Sequence, residues 1–376
     1  MHIGIRLTAA IAAGILLTGC GITCAAINDT PPNALEQAAA EIDIPSDVQA
    51  EFDRIGIAAD KPVSLLTLAP EELLHNLLRT AAQEASAPLR LCGILLTLTV
   101  LCAVLGNLGD AAADGALRQI FDALCTLLCV GTAASPLCDI LIRTAQALDL
   151  GHAFMTGYIP VFGAFIAAGG HVASGTAYQV CVLFLTEGIM QLLHGILYPV
   201  LQMSAALGIA DAVNPPLRLG GFVSGLRTAV TWMLGFVMTM FAALLSVRSI
   251  VASAADSLAS KSVKLLASGL IPIVGSAVSD AYGTVQGSIR LLRNGVGAVG
   301  ILVILWLILP PLISLVLYRL IFRVNGIFAE MAGTKPLSQL YQNMQAVLSA
   351  AFAMQVCCAV MLIFSSAIMI LLTGAS

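Results

Sequence analysis

The chain has 376 residues, of which 59% are hydrophobic and only 10% charged, with a formal net charge of −4 and a mean hydropathy of +0.96. A soluble domain carries roughly 25% charged residues to cover its surface, so an ordinary soluble enzyme is excluded. The lack of a basic stripe excludes a nucleic-acid binder and the apolar excess excludes disorder, which leaves an all-α polytopic integral membrane protein.

Residues 1–26 read as an export signal. His2 and Arg6 make a short basic start, and Leu7 to Leu17 is an apolar core too short for an ordinary span. Three fates are open. The favoured one is cleavage near Ala25 or Ala26, in the small-residue run Thr23-Cys24-Ala25-Ala26. The others are acylation of Cys20 at the lipobox-like Leu17-Thr18-Gly19-Cys20, and retention as a first helix.

Residues 27–88 form an acidic extracytoplasmic segment, with eleven acidic residues against Arg54, Lys61 and Arg79. A shortage of Lys and Arg suits the outer side of a membrane. Within it, residues 70–86 predict an amphipathic helix. Pro70 with Glu71 and Glu72 is a good start, and Leu73, Leu74, Leu77 and Leu78 fall at helical spacing. That helix is either a docking arm for a partner or a solvated lead-in to the first span.

From residue 89 a multi-span membrane domain runs to residue 376. Six runs reach spanning length, at about 91–109, 119–142, 177–206, 227–250, 295–322 and 343–372. Two further stretches, 152–173 and 266–285, are apolar but rich in Gly, Ser and Ala. The first contains Gly157-Tyr158-Ile159-Pro160-Val161-Phe162-Gly163 and the second Gly269-Leu270-Ile271-Pro272-Ile273-Val274-Gly275. The two lie 112 residues apart, and Gly175 with Gly287 and Pro199 with Pro311 match at the same offset. Residues 119–206 and 231–318 therefore read as an internal repeat of span, broken segment, span.

Pro160 and Pro272 each remove a backbone donor, while Gly163 and Gly275 loosen the helix. In lipid the freed carbonyls need partners in the protein or in a wet cavity, and paired broken helices point to a substrate or ion path. The alternative is that they only kink tightly packed helices. If both segments cross, eight spans follow the signal; if both re-enter, six do. Lys and Arg near the span ends divide almost evenly in either model, so the positive-inside rule does not choose.

Glu187, Gln191, His194, Tyr198 and Gln202 recur every three or four residues and stay within about 80° of one another at 100° per residue. An intramembrane carboxylate and histidine on one stripe suit a proton or ion path, or equally a hydrogen-bonded helix interface. Ser246, Ser249, Ser253, Ser257 and Ser260, with Lys264, form a second stripe suited to close helix packing. Asp139 and Arg143 stand at i, i+4 and are expected to neutralise each other. Asp122 and Asp256 are isolated; Asp280, just beyond the second broken segment, has the better claim to a role. Eight of the ten cysteines lie in or beside apolar runs, as small packing residues. No metal-ligand spacing, no HExxH, no GxSxG and no Walker A motif occurs. No enzyme activity and no cofactor is therefore expected, and energy for any transport must come from a partner or a gradient.

Taken together, the export signal, the acidic outer segment and the polytopic body with GYIPVFG and GLIPIVGSAVSDAYGTV (Gly269 to Val285) resemble the stage III sporulation protein AE family. The resemblance implies an endospore-forming bacterium and a multiprotein complex between mother cell and forespore, viewed as a secretion-like channel needed for continued forespore gene expression. It implies partners from the same complex: a secretion-type ATPase, ring-forming membrane proteins and a forespore-side protein. It implies a place in the mother-cell membrane around the forespore, and it brings no catalytic residues. The alternative function is an autonomous secondary transporter using Glu187 and His194.

Overall fold

The computed structural model describes residues 70–111, 115–168, 172–213, 220–244 and 275–374. All of these are helical except a turn at 332–334, and no strand occurs among them. The helices are α1 (Pro70–Ala111), α2 (Gly115–Ala168), α3 (Val172–Leu192), α4 (Tyr198–Val213), α5 (Gly220–Leu244), α6 (Gly275–Met331) and α7 (Lys335–Gly374). A π-helical turn, Leu193–Leu197, joins α3 to α4. Six segments are long and apolar enough to cross a membrane: Glu84–Gly106, Ile120–Ala164, Gln179–Val213, Gly220–Leu244, Val303–Met331 and Lys335–Ala367. The six expected spans are therefore all helical where described. The signal, the acidic segment up to residue 69, and the serine stripe lie outside the described residues.

Helix α1 begins at Pro70, as its proline and two glutamates predict, and runs through Pro88 into the first span without a break. Helix α2 departs from expectation. The first Gly/Pro segment is not a separate span or a re-entrant loop: α2 continues through Pro136 and Pro160 to Ala168. Packing supports the helix across Pro160. Phe154, Tyr158 and Phe162 stack on one face, with ring centroids 5.4 and 5.3 Å apart, and all three are buried. A Cβ on Gly300 of α6 would run into the Tyr158 ring, so that glycine is the seat for the tyrosine. At Gly163 a Cβ would stand 3.2 Å from Gln179 Oε1, so this glycine lets α2 and α3 close into a hairpin.

Helix α7 is central and packs on α6, α2 and α4, while α6 also packs on α1 and α2. In its most apolar stretch 72% of α7 is buried, against 17% of α5, which lies at the periphery. Lipid is as apolar as a leucine side chain, so burial between helices gains little from water. Close packing and interhelical hydrogen bonds must do more. Tyr341 of α7 meets Thr99 of α1 at 3.0 Å and donates to Cys129 Sγ of α2 at 3.6 Å. Cys102, Cys125 and Cys129 are all buried around it, in line with a packing role. Lower down, Asn343 Nδ2 donates to Gly208 O of α4 at 3.0 Å, and its Oδ1 accepts from Arg227 Nη2 of α5 at 3.1 Å.

The expected pair between Asp139 and Arg143 does not form. Arg143 instead reaches across to α1, where its Nη1 lies 3.7 Å from Glu84 Oε2. That carboxylate also accepts a 2.6 Å hydrogen bond from Ser314 of α6, which gives it a better-ordered site than Asp139 offers.

The turn between α6 and α7 is a Schellman motif. Gly333 has φ 75°, Thr334 N donates to Ala329 O at 3.1 Å, and Gly333 N donates to Glu330 O at 3.1 Å. Only glycine takes that left-handed position at no steric cost.

The helices are long for a membrane. With 54 and 57 residues, α2 and α6 extend about 81 and 85 Å at 1.5 Å per residue. A bilayer's hydrocarbon is about 30 Å thick. Between its two apolar halves α2 carries a polar waist, Asp139 to His152, that includes Arg143 and Asp149.

Candidate functional site

Two acid–histidine pairs form where α2 and α3 run antiparallel. Asp149 and His152 stand one turn apart on α2, and Glu187 and His194 stand two turns apart across α3 and the π-turn. His152 Nε2 lies 3.0 Å from Glu187 Oε2 in a hydrogen bond. His194 Nε2 lies 3.0 Å from Asp149 Oδ1, yet the atoms are out of line for a hydrogen bond. Each helix thus gives one carboxylate and one imidazole, and each carboxylate faces the other helix's imidazole.

The π-turn has a local cause. Pro199 lacks the N–H that would bond Gly195 O in an α-helix. The ladder widens instead, with Tyr198 N–H donating to Leu193 O. His194 sits inside that turn.

The stripe predicted on this helix is present, and it faces outward. The Glu187 side chain is 58% exposed and that of Asp149 66%. Gln191 and Gln202 are exposed, His194 is half-buried, and Tyr198 leans its ring on the core. Among the described residues no three His, Cys, Asp or Glu side chains converge as a metal site. The arrangement can hold or exchange protons between paired groups, and it can present polar groups to a neighbour.

The other candidates fall elsewhere. Pro160 and Gly163 lie in the last third of α2, between the buried aromatic stack and the α3 contact, and are not brought to the acid–histidine pairs. Pro272, with the rest of 269–274, lies outside the described residues. Gly275 opens α6 and Asp280 follows in its second turn. Sequence reasoning missed Asp149 and His152. The signal was there, an acid and a histidine at i, i+3 on an apolar helix, but its meaning depended on the hairpin that sets them against α3.

The family model described as "Stage III sporulation protein AE (spore_III_AE)" matches residues 64–373. "Stage III sporulation protein AE" of Bacillus subtilis (strain 168) is 23% identical over 271 residues, covering 72% of this chain and 68% of that protein. No solved structure matches. With six apolar spans and a match that takes in α1 through nearly all of α7, the chain is a multi-pass membrane protein that belongs to the stage III sporulation protein AE family.

Proposed function

We propose that this chain is a non-enzymatic membrane subunit of a secretion-like complex joining mother cell and forespore, and that it supports late gene expression in the forespore. Family membership over residues 64–373 carries the reading. Its partners are then the other proteins of that complex: a secretion-type ATPase, ring-forming membrane proteins and a forespore-side protein. Its place is the mother-cell membrane around the forespore.

The outward face of the α2–α3 pairs supports a subunit over a self-sufficient carrier. Carboxylates and amides on the outer side of a spanning bundle are costly against lipid. Contact with another protein satisfies them. The acid–histidine pairs are accordingly assigned to an interface within the complex.

The test is deletion of the gene in its spore-forming host, with a late forespore reporter read after engulfment. The expected result is complete engulfment and a silent reporter. Normal spores would overturn the reading in favour of an autonomous transporter. In that case the purified protein should carry flux alone in vesicles, and Glu187→Gln should abolish it.

A further inference from the structure

A cleft of about 620 Å³ opens between α1, α2 and α6, lined by charged groups that the acid–histidine site does not use. On α2 its residue Arg143 lies about 120° around the helix from Asp149, at 100° per residue, so the two sites occupy different sides. Within the cleft Glu84 is engaged by Ser314 and Arg143. That leaves one charge of each sign. Arg90 on the α1 wall and Asp139 on the α2 wall have no hydrogen-bond or ion-pair partner among the described residues.

The backbone adds acceptors. Pro88 and Pro136 both line the cleft, and each withholds the N–H that would bond the carbonyl four residues earlier. Those carbonyls belong to Glu84 and Thr132, which line the same cleft. Two helices thus bring their freed acceptors to one place. Acceptors beside an unpaired carboxylate suit a ligand that donates several hydrogen bonds from a positive centre, as a primary ammonium does. An unpaired guanidinium, with the Tyr318 hydroxyl also in the lining, suits a phosphate. On the same face of α1 as Arg90, Ile94 and, two turns on, Leu101 are exposed, an apolar track fit for an acyl chain.

We propose that this cleft binds a phospholipid whose headgroup carries both a phosphate and a primary ammonium, namely phosphatidylethanolamine, with phosphate on Arg90 and ammonium on Asp139 and the carbonyls of Glu84 and Thr132. Neither free charge is satisfied by a headgroup of one sign alone. Phosphatidylglycerol leaves Asp139 unpaired, and the quaternary ammonium of phosphatidylcholine has no N–H to give the carbonyls.

The test uses the full chain in nanodiscs made from equal parts of these three lipids, with bound lipid counted by native mass spectrometry. The expected result is enrichment of phosphatidylethanolamine by about tenfold, the worth of one charge-assisted hydrogen bond. Asp139→Asn should erase that preference while phospholipid still binds. Arg90→Gln should lower retention of all three, and Arg90→Lys should restore it. Both positions are exposed, so the variants should stay monodisperse with unchanged melting temperature. Equal retention of the three lipids, or a preference that survives both variants, overturns the proposal. Binding of soluble phosphoethanolamine without any lipid preference overturns it too, and would give the cleft to a free zwitterion.

Discussion

At the scale of single residues, close approach decides more than chemistry. Gly300 has no room for a methyl group because the Tyr158 ring occupies it, whereas a Cβ on Gly131 would meet nothing within 4 Å. Gly300→Ala should therefore destabilise by about 1–3 kcal/mol through overpacking. Gly131→Ala should be neutral or stabilise by up to about 1 kcal/mol. Thermal unfolding in detergent separates the two, and equal melting temperatures would mean that the tyrosine moves aside freely. Asn343 is the polar counterpart. Asn343→Leu removes the donor to Gly208 O and the side-chain acceptor for Arg227, which keeps only the longer 3.4 Å bond to the main-chain carbonyl of residue 343, at roughly 1–3 kcal/mol in all. Adding Arg227→Leu should recover part of that loss, which a double-mutant cycle measures.

At the scale of elements, the π-turn keeps α3 and α4 in two separate registers. His194, within the turn, is held against Asp149, and Gly208, beyond it, against Asn343. Pro199→Ala should restore the N–H donor to Gly195 O, convert the turn to α-helix and, with every residue kept, rotate α4 by about 100°. In a cysteine-free background, a disulfide between cysteines placed at 208 and 343, where a Cβ on Gly208 stands 3.1 Å from Asn343 Cβ, should then fail. Its survival would show that the turn does not set the register of α4.

The same elements show what could be read without coordinates. The spans were legible because a bilayer demands about twenty apolar residues and few charges. The Glu187 stripe was legible because helical spacing is local. The continuity of α2 was not, because Pro160 taken alone signals a break; the Tyr158 seat on Gly300 and the Phe154–Tyr158–Phe162 stack are tertiary facts that outweigh it. Arg143 was misjudged for a similar reason. Its i, i+4 neighbour was visible, while Glu84, 59 positions earlier in the chain, was not.

At the scale of the molecule, length is the governing quantity. Leu124 and Ala164 are both exposed on α2 and lie 40 residues apart, about 60 Å along the helix. A bilayer of about 30 Å cannot cover both. Single cysteines at these two positions, in the purified protein reconstituted at low density, should therefore differ: at least one should react with a water-soluble maleimide. Which one reacts identifies the half of the bundle that stands clear of the lipid. Protection of both would require that copies of the chain shield each other even when dilute. In the complex proposed above the reactive position should become protected, because an apolar surface beyond the lipid needs a protein cover.

The left-handed glycine at 333 has a mechanical corollary. It folds α6 and α7 back on each other through a turn of three residues, every one of them tied by a backbone hydrogen bond. Such a joint has no slack. Fixed at this end, the two helices run side by side for about 60 Å, and Pro310 with Pro311, which remove two N–H donors from the middle of α6, mark the place where α6 is weakest against bending. Relative movement of α6 and α7 is therefore expected at that proline pair and not at the turn.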